Sequence, residues 1–315
     1  MIGIAVTIAV SLIAGVLARR RLGERADRVG GAVLNLLLYV LYPIVVFTAV
    51  TRLHVDAAVL GGVALGWAAL TLTGLAAWLV GTRLLHLPRA SVGSLIAVAV
   101  HGNTGYLGLP LTVALLGHDA LGVAAVYDGL VQAPVFLLGV FAVAARFGDT
   151  AAGHEGRPRP RLIAAVLRNP PLLAVGFGLL VPVQAIPTQA LAVVPIITIL
   201  LLPLGYLAAG VTLAAESRQP HSTISGRQRF DRDLTLAVLT GALLRMVISP
   251  LVLLALATPL LTLPNAYLLL AATPAGVNVL AVAHAYGLDR SLIARVVINT
   301  TALAVLIGVT LAATQ

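Results

Sequence analysis

Cysteine and lysine are both absent from this chain of 315 residues, and acidic residues number only 11. Without cysteine there is no disulfide, no thiolate metal site and no cysteine nucleophile. Without lysine, all 20 basic residues are arginines. Charged residues make up 10% of the chain, against about a quarter in an ordinary soluble domain. What fills the space is apolar: 60% of the residues are hydrophobic, and only 5% are aromatic. This is the composition of an all-α polytopic membrane protein whose surroundings are the lipid bilayer. The formal charge of +9 would suit nucleic acid if it lay in one stripe. The arginines instead fall between apolar runs, so they report topology and no nucleic-acid partner is expected. Scarcity of acids inside the runs also speaks against a membrane enzyme, which needs a cluster such as paired carboxylates or a metal-ligand set. No metal and no cofactor is expected.

Apolar runs of about 18 to 25 residues suffice to cross the hydrocarbon core. They can be drawn at 2–18, 30–50, 58–82, 91–116, 121–145, 162–182, 187–213, 234–257, 264–287 and 291–313, which makes ten spans. The first is read as a retained span and not a secretory signal, because Arg19, Arg20 and Arg21 follow it and no charge precedes it. With the connections assigned alternately, 18 of the 20 arginines lie on one side. Only Arg52 falls on the other side, and Arg245 lies within a span. That bias makes the arginine-rich side cytoplasmic and predicts an inner-membrane protein with both termini outside.

A polar loop at 147–161 divides the chain into 1–146 and 162–315, each with five spans. An odd number of spans per half forces opposite orientations, the inverted-repeat architecture. LYPIVVFTAV (Leu41 to Val50) resembles LLPLGYLAAGV (Leu201 to Val211), with Pro43 and Pro203 in matching places. Span four carries HGNTGYLGLP, His101 to Pro110, where a continuous helix is expected, and span nine carries TPAGVNVLAVAH, Thr273 to His284. Gly102, Gly108, Pro110 and Pro274 read as helix-breaking positions. Unwound backbone at bilayer depth is tolerated only where protein or a cavity satisfies it.

These residues resemble the auxin efflux carrier family, carriers of organic anions in bacteria and plants. The resemblance rests on the Asn-x-Gly-aromatic-Leu-Gly-Leu-Pro core of HGNTGYLGLP, on Pro274 to Asn278, and on RNPPLLAVGFGLL, Arg168 to Leu180. It implies a scaffold domain from helices 1, 2, 6 and 7, a transport domain from helices 3–5 and 8–10, and broken helices four and nine crossing as an X. It also implies carboxylate-bearing solutes, such as dicarboxylates or auxin-like acids, and a homodimer through the scaffold domain. Bile-acid sodium symporters share the fold and are the family most easily confused with it.

Several residues are candidates for substrate contact. Asn103, Thr104 and Gly105 sit at the first break, and Gly276, Val277 and Asn278 at the second. A helix that restarts there presents unpaired amides and a partial positive charge, which favour anions. Asn103 and Asn278 can each donate and accept, so they can bind a carboxylate or satisfy the unwound peptides of the other broken helix. Gln132 lies one turn from Asp128 on the same helix face. Arg245 would cost about 2.5–3.5 kcal/mol at a membrane centre; it can attract an anion, pair with an acid or snorkel. Asp128 is the one acid clearly inside a span, and it can couple a proton or serve as Arg245's partner. His101 and His284 flank the breaks and can relay protons or cap helices. With no cluster of acids, a sodium cage would need backbone carbonyls, Asn and Thr, so a proton ranks ahead of sodium as the coupling ion.

The expectation is a transporter of small organic anions, secondary active or facilitative, working by alternating access with one domain moving elevator-like against the other. A sodium-coupled bile-acid-type symporter and a non-transporting sensor on the same scaffold are the alternatives. A channel would need a continuous polar lining, and polar residues gather at only one depth.

Overall fold

The computed structural model describes residues 2–149, 170–216 and 227–313. Most of the expected loop at 147–161, the start of span six and part of the connection before span eight lie outside them. Nearly all the described chain is helix, in the order α1 (Ile2–Leu22), α2 (Glu24–Val50), α3 (Ala57–Leu84), α4 (Arg89–Val100), α5 (Thr104–Leu116) and α6 (His118–Phe147). There follow α7 (Pro170–Leu180), α8 (Thr188–Glu216) and α9, which runs from Arg227–Leu243 through Leu244–Ile248 into Ser249–Ala257. The chain closes with α10 (Asn265–Ala271), α11 (Val279–Tyr286) and α12 (Arg290–Ala313). Among the described residues, five stretches are long and apolar enough to cross a membrane: Glu24–Val50, Ala57–Leu84, His118–Phe147, Leu191–Thr212 and Leu234–Ala257. Large side chains on their outer faces are apolar, Leu60, Ile199, Leu239 and Leu251 among them, as hydrocarbon surroundings require.

Span four is two helices, α4 and α5, separated at residues 101–103, and span nine is α10 and α11, separated at residues 272–278. Gly102 and Pro274 lie in these gaps. Gly108 and Pro110, expected to break the helix, lie inside α5 instead. Pro110 is the seventh residue of α5, so its missing amide is accommodated within the helix and does not end it.

The prolines do something else. Each of four widened π turns ends two residues before a proline: Leu37–Leu41 before Pro43, Thr104–Gly108 before Pro110, Asp128–Gln132 before Pro134, and Leu244–Ile248 before Pro250. A proline ring clashes with the carbonyl four residues earlier and offers it no amide. At these four places the helix takes one extra residue into the turn, whereas Pro195 and Pro203 lie inside α8 without one. For Pro134 that carbonyl belongs to Leu130, and the Trp67 indole Nε1 donates to it at 2.9 Å. These turns carry Thr104, Asp128, Gln132 and Arg245.

Two packing groups can be distinguished, and they meet where α2 packs on α6 and α1 on α12. Helix α1 lies along α8, α2 packs on α8, and α7 packs on the Tyr42–Val50 end of α2. Elsewhere α3 packs on α4 and α9, α4 on α6 and α12, and α10 on α6. Asp289 ties the second group at one end: its carboxylate accepts from the Leu292 amide at 3.0 Å and the Ser91 hydroxyl at 2.7 Å, fastening α12 to α4.

Trp67→Phe keeps the packing but leaves the Leu130 carbonyl without its donor. We expect a loss of about 1 kcal/mol, read as a fall of roughly 2–4 °C in apparent unfolding temperature. An unchanged temperature would show that the freed carbonyl needs no partner from α3.

Candidate functional site

The two gaps face each other and pair as a short antiparallel bridge, Gly102 opposite Ala275. The Asn103 amide donates to the Pro274 carbonyl at 2.7 Å, and the Gly276 amide donates to the His101 carbonyl at 3.0 Å. Two side chains complete the pairing. Gln132 Oε1 accepts from the Gly102 amide at 3.1 Å, and Thr300 Oγ1 of α12 accepts from the Ala275 amide at 3.3 Å. Thus the amides of Gly102, Asn103, Ala275 and Gly276, which unwinding exposes, are satisfied by the opposite break and by α6 and α12 and need nothing from lipid.

Because backbone and Gln132 do this work, the asparagines are left over. The Asn103 and Asn278 side chains form no hydrogen bond with the other described residues, and both line a cavity of about 590 Å³. His101, Gly102, Thr104, Gly105, Asp128, Gln132 and Gly276 line the same cavity. Its walls are largely aromatic and aliphatic: Tyr39 and Tyr42 from α2, Tyr106 from α5, and Phe136 and Phe141 from α6. The His101 ring stacks on Phe136, centroids 4.5 Å apart.

The restarting helices differ. In α11 the amides of Val279, Leu280 and Ala281 already donate to the carbonyls of Gly276, Val277 and Asn278 at 3.4, 3.1 and 3.2 Å. At α5 the Gly108 amide reaches back to the Asn103 carbonyl at 3.1 Å, and the amides of the first turn precede any intrahelical acceptor. The open helix terminus therefore lies at α5, beside Asn103, and the second break adds the Asn278 amide group to the lining.

Asp128 is buried, 6% exposed, and accepts hydrogen bonds from the hydroxyls of Tyr42 and Thr104. It links α2, α5 and α6 at the cavity wall. Arg245 is not its partner. That guanidinium is fully buried, donates to the Thr273 carbonyl at 3.0 Å and the Leu270 carbonyl at 3.2 Å, and lies outside the cavity lining. Val277 and His284 also lie off the main cavity, on a neighbouring pocket of about 210 Å³ that shares Asn278, Leu34 and Ala281 with it. The His284 Nδ1 sits 2.9 Å from Arg290. Sequence reasoning missed Asn35, Tyr106, Phe136 and Phe141 as lining residues.

A family model described as membrane transport protein matches residues 5–311. An uncharacterized transporter of Methanocaldococcus jannaschii is 25% identical over 189 residues, 58% of this chain and 59% of that protein. The chain thus spans about three-fifths of the length of the curated relative it matches.

A Cβ on Gly102 would overlap the Arg245 guanidinium and come within 2.6 Å of Thr273 Oγ1. Gly102→Ala should therefore cost about 1–3 kcal/mol and lower the apparent unfolding temperature, while Gly31→Ala, where a Cβ meets nothing within 4 Å, should not. Equal stability of the two variants in detergent would contradict the close approach of the breaks.

Proposed function

The chain belongs to the membrane transport protein family, the auxin efflux carrier-like transporters that its motifs resemble, and from that premise we propose that it is a carrier of small organic anions that binds a carboxylate between its two helix breaks. It is a transport protein and not an enzyme. The observation that carries the reading is the pair of unpartnered amide side chains, Asn103 and Asn278, facing one cavity beside the open terminus of α5. An amide nitrogen can donate to a carboxylate oxygen, and the helix terminus adds a partial positive charge next to it. Aromatic walls suit the apolar body of the solute. Thr104, Gly105, Gln132 and Gly276 complete the floor.

In this reading the chain crosses the inner membrane ten times, as two inverted five-helix repeats with both termini outside. Helices α1, α2, α7 and α8 form the scaffold, through which two copies would dimerise, and the remaining helices form the transport domain. The packing of α1 and α2 on each other and on α8, of α7 on α2, and of α3, α4 and α9 together, supports that division, with α2 against α6 and α1 against α12 where the groups meet. The cavity has Tyr39 and Tyr42 on the scaffold side and both breaks on the other, so an elevator-like movement of one group against the other would carry the site between the two faces. Asp128 sits where the groups meet, held by the Tyr42 hydroxyl of α2. It is the proposed proton-coupling group, in preference to sodium at that position. Taking up a proton would turn one of its acceptor oxygens into a donor and weaken the link to Tyr42.

The reading is tested by thermal stabilisation of purified protein across mono- and dicarboxylates and indole acids, since a ligand specific to the folded state raises apparent stability. A carboxylate at 100 times its Kd should stabilise wild type by about 2.7 kcal/mol and leave Asn103→Ala, itself folded and monodisperse, unshifted. Equal stabilisation of both proteins, or of neither by any anion, counts against the site. In vesicles, Asp128→Asn should retain binding and lose the response of transport to an imposed pH gradient; an intact response would remove Asp128 from the coupling step.

A further inference from the structure

Arg245 has no part in the cavity, yet it is the largest fully buried side chain. It stands on the π turn before Pro250, and its guanidinium reaches the place where the two breaks pair. Nε donates to the Thr273 carbonyl at 3.0 Å, and Nη2 donates to the Leu270 carbonyl at 3.2 Å and to Thr273 Oγ1 at 3.3 Å. These oxygens lie at the C-terminal end of α10, where the Leu270 carbonyl also accepts from the Thr273 amide at 3.2 Å and the Thr273 hydroxyl at 2.7 Å. Nη2 also lies against Gly102, two residues past the end of α4. The positive charge therefore sits between two helix C-termini, where the helix dipoles favour a cation. Among the described residues no carboxylate pairs with it, and its Nη1 has no hydrogen-bond partner.

Two carbonyls and a threonine hydroxyl at a half-helix C-terminus form the kind of oxygen set with which transporters with broken helices hold a coupling metal cation. Here a guanidinium occupies it. We propose that Arg245 is a tethered cation standing in for a bound alkali ion: it neutralises the ends of α4 and α10 and holds the two breaks in register, so the site is assembled without sodium. Its role is positional, since Gly102 separates it from the cavity. A guanidinium is charged at any physiological pH and cannot dissociate, so this charge stays in place through the whole transport cycle.

The test is apparent unfolding temperature in choline chloride, in sodium chloride, and in choline chloride with millimolar guanidinium or urea. Wild type should unfold at the same temperature in all four. Arg245→Ala should be less stable in choline, recover at least half of the deficit with guanidinium or sodium, and gain nothing from urea, which matches guanidinium in shape without its charge. Sodium stabilisation of wild type over choline, wild-type stability of Arg245→Ala in choline, or a deficit that neither cation repairs would each overturn the proposal. If Arg245→Ala yields no folded protein, Arg245→Lys and Arg245→Gln give the same contrast. Greater stability or folded yield of the lysine variant supports a cation requirement, and equal loss in both overturns it. No carboxylate enters these measurements, so their outcome is independent of the anion reading.

Discussion

Two backbone hydrogen bonds, Asn103 to Pro274 and Gly276 to His101, are what the centre of the protein depends on. Peptide groups released from a helix cannot be left bare in a hydrocarbon slab, where each would cost several kcal/mol. Each break here supplies what the other lacks. Once they are paired, residue choices around them follow: no side chain at 102, because a guanidinium passes there, and hydroxyl or amide groups at Thr300 and Gln132 to take the remaining amides.

The pairing also decides what is left for a solute. If the asparagines were spent on unwound peptides, the unpartnered polar side-chain atoms left around the cavity would be Gln132 Nε2 and His101 Nδ1 among the buried described ones. Because backbone atoms satisfy one another, Asn103 and Asn278 keep their amides, and α5 keeps an open first turn. The charges are segregated as well. Asp128 is held by hydroxyls on the cavity wall, whereas Arg245 is held by carbonyls beyond Gly102. The sequence alone left it open whether the two pair, and they do not.

Much of this was legible in the sequence, for identifiable reasons. Glycine, asparagine and proline inside an apolar run are conspicuous, so both breaks and most of the polar lining, from His101 to Gly105 and at Asp128, Gln132, Gly276 and Asn278, could be found without coordinates. The roles of Gly108 and Pro110 were misjudged, because the π turn Thr104–Gly108 accommodates Pro110 within α5 and the helix does not end there. In four places a proline follows a π turn by two residues, and three of those turns carry Thr104, Asp128 with Gln132, and Arg245; Pro195 and Pro203 lie inside α8 without such a turn, so proline alone does not reveal them in the sequence. Phe136 had a signal, since it lies one turn beyond Gln132 and two beyond Asp128 on the same face of α6. Tyr106 and Phe141 are bordered by apolar residues, and periodicity did not single them out. Asn35 was hidden for another reason, since its place on the lining depends on how α2 meets the breaks.

The central claim is that the paired breaks make one carboxylate site. The most direct measurement is an experimental structure of the protein with a bound carboxylate chosen for stabilising it. The account predicts the carboxylate within about 3 Å of the Asn103 and Asn278 amide nitrogens, at the start of α5, with the body of the solute against Tyr106 and Phe136. A carboxylate bound elsewhere, with both asparagines turned to backbone partners, would contradict it.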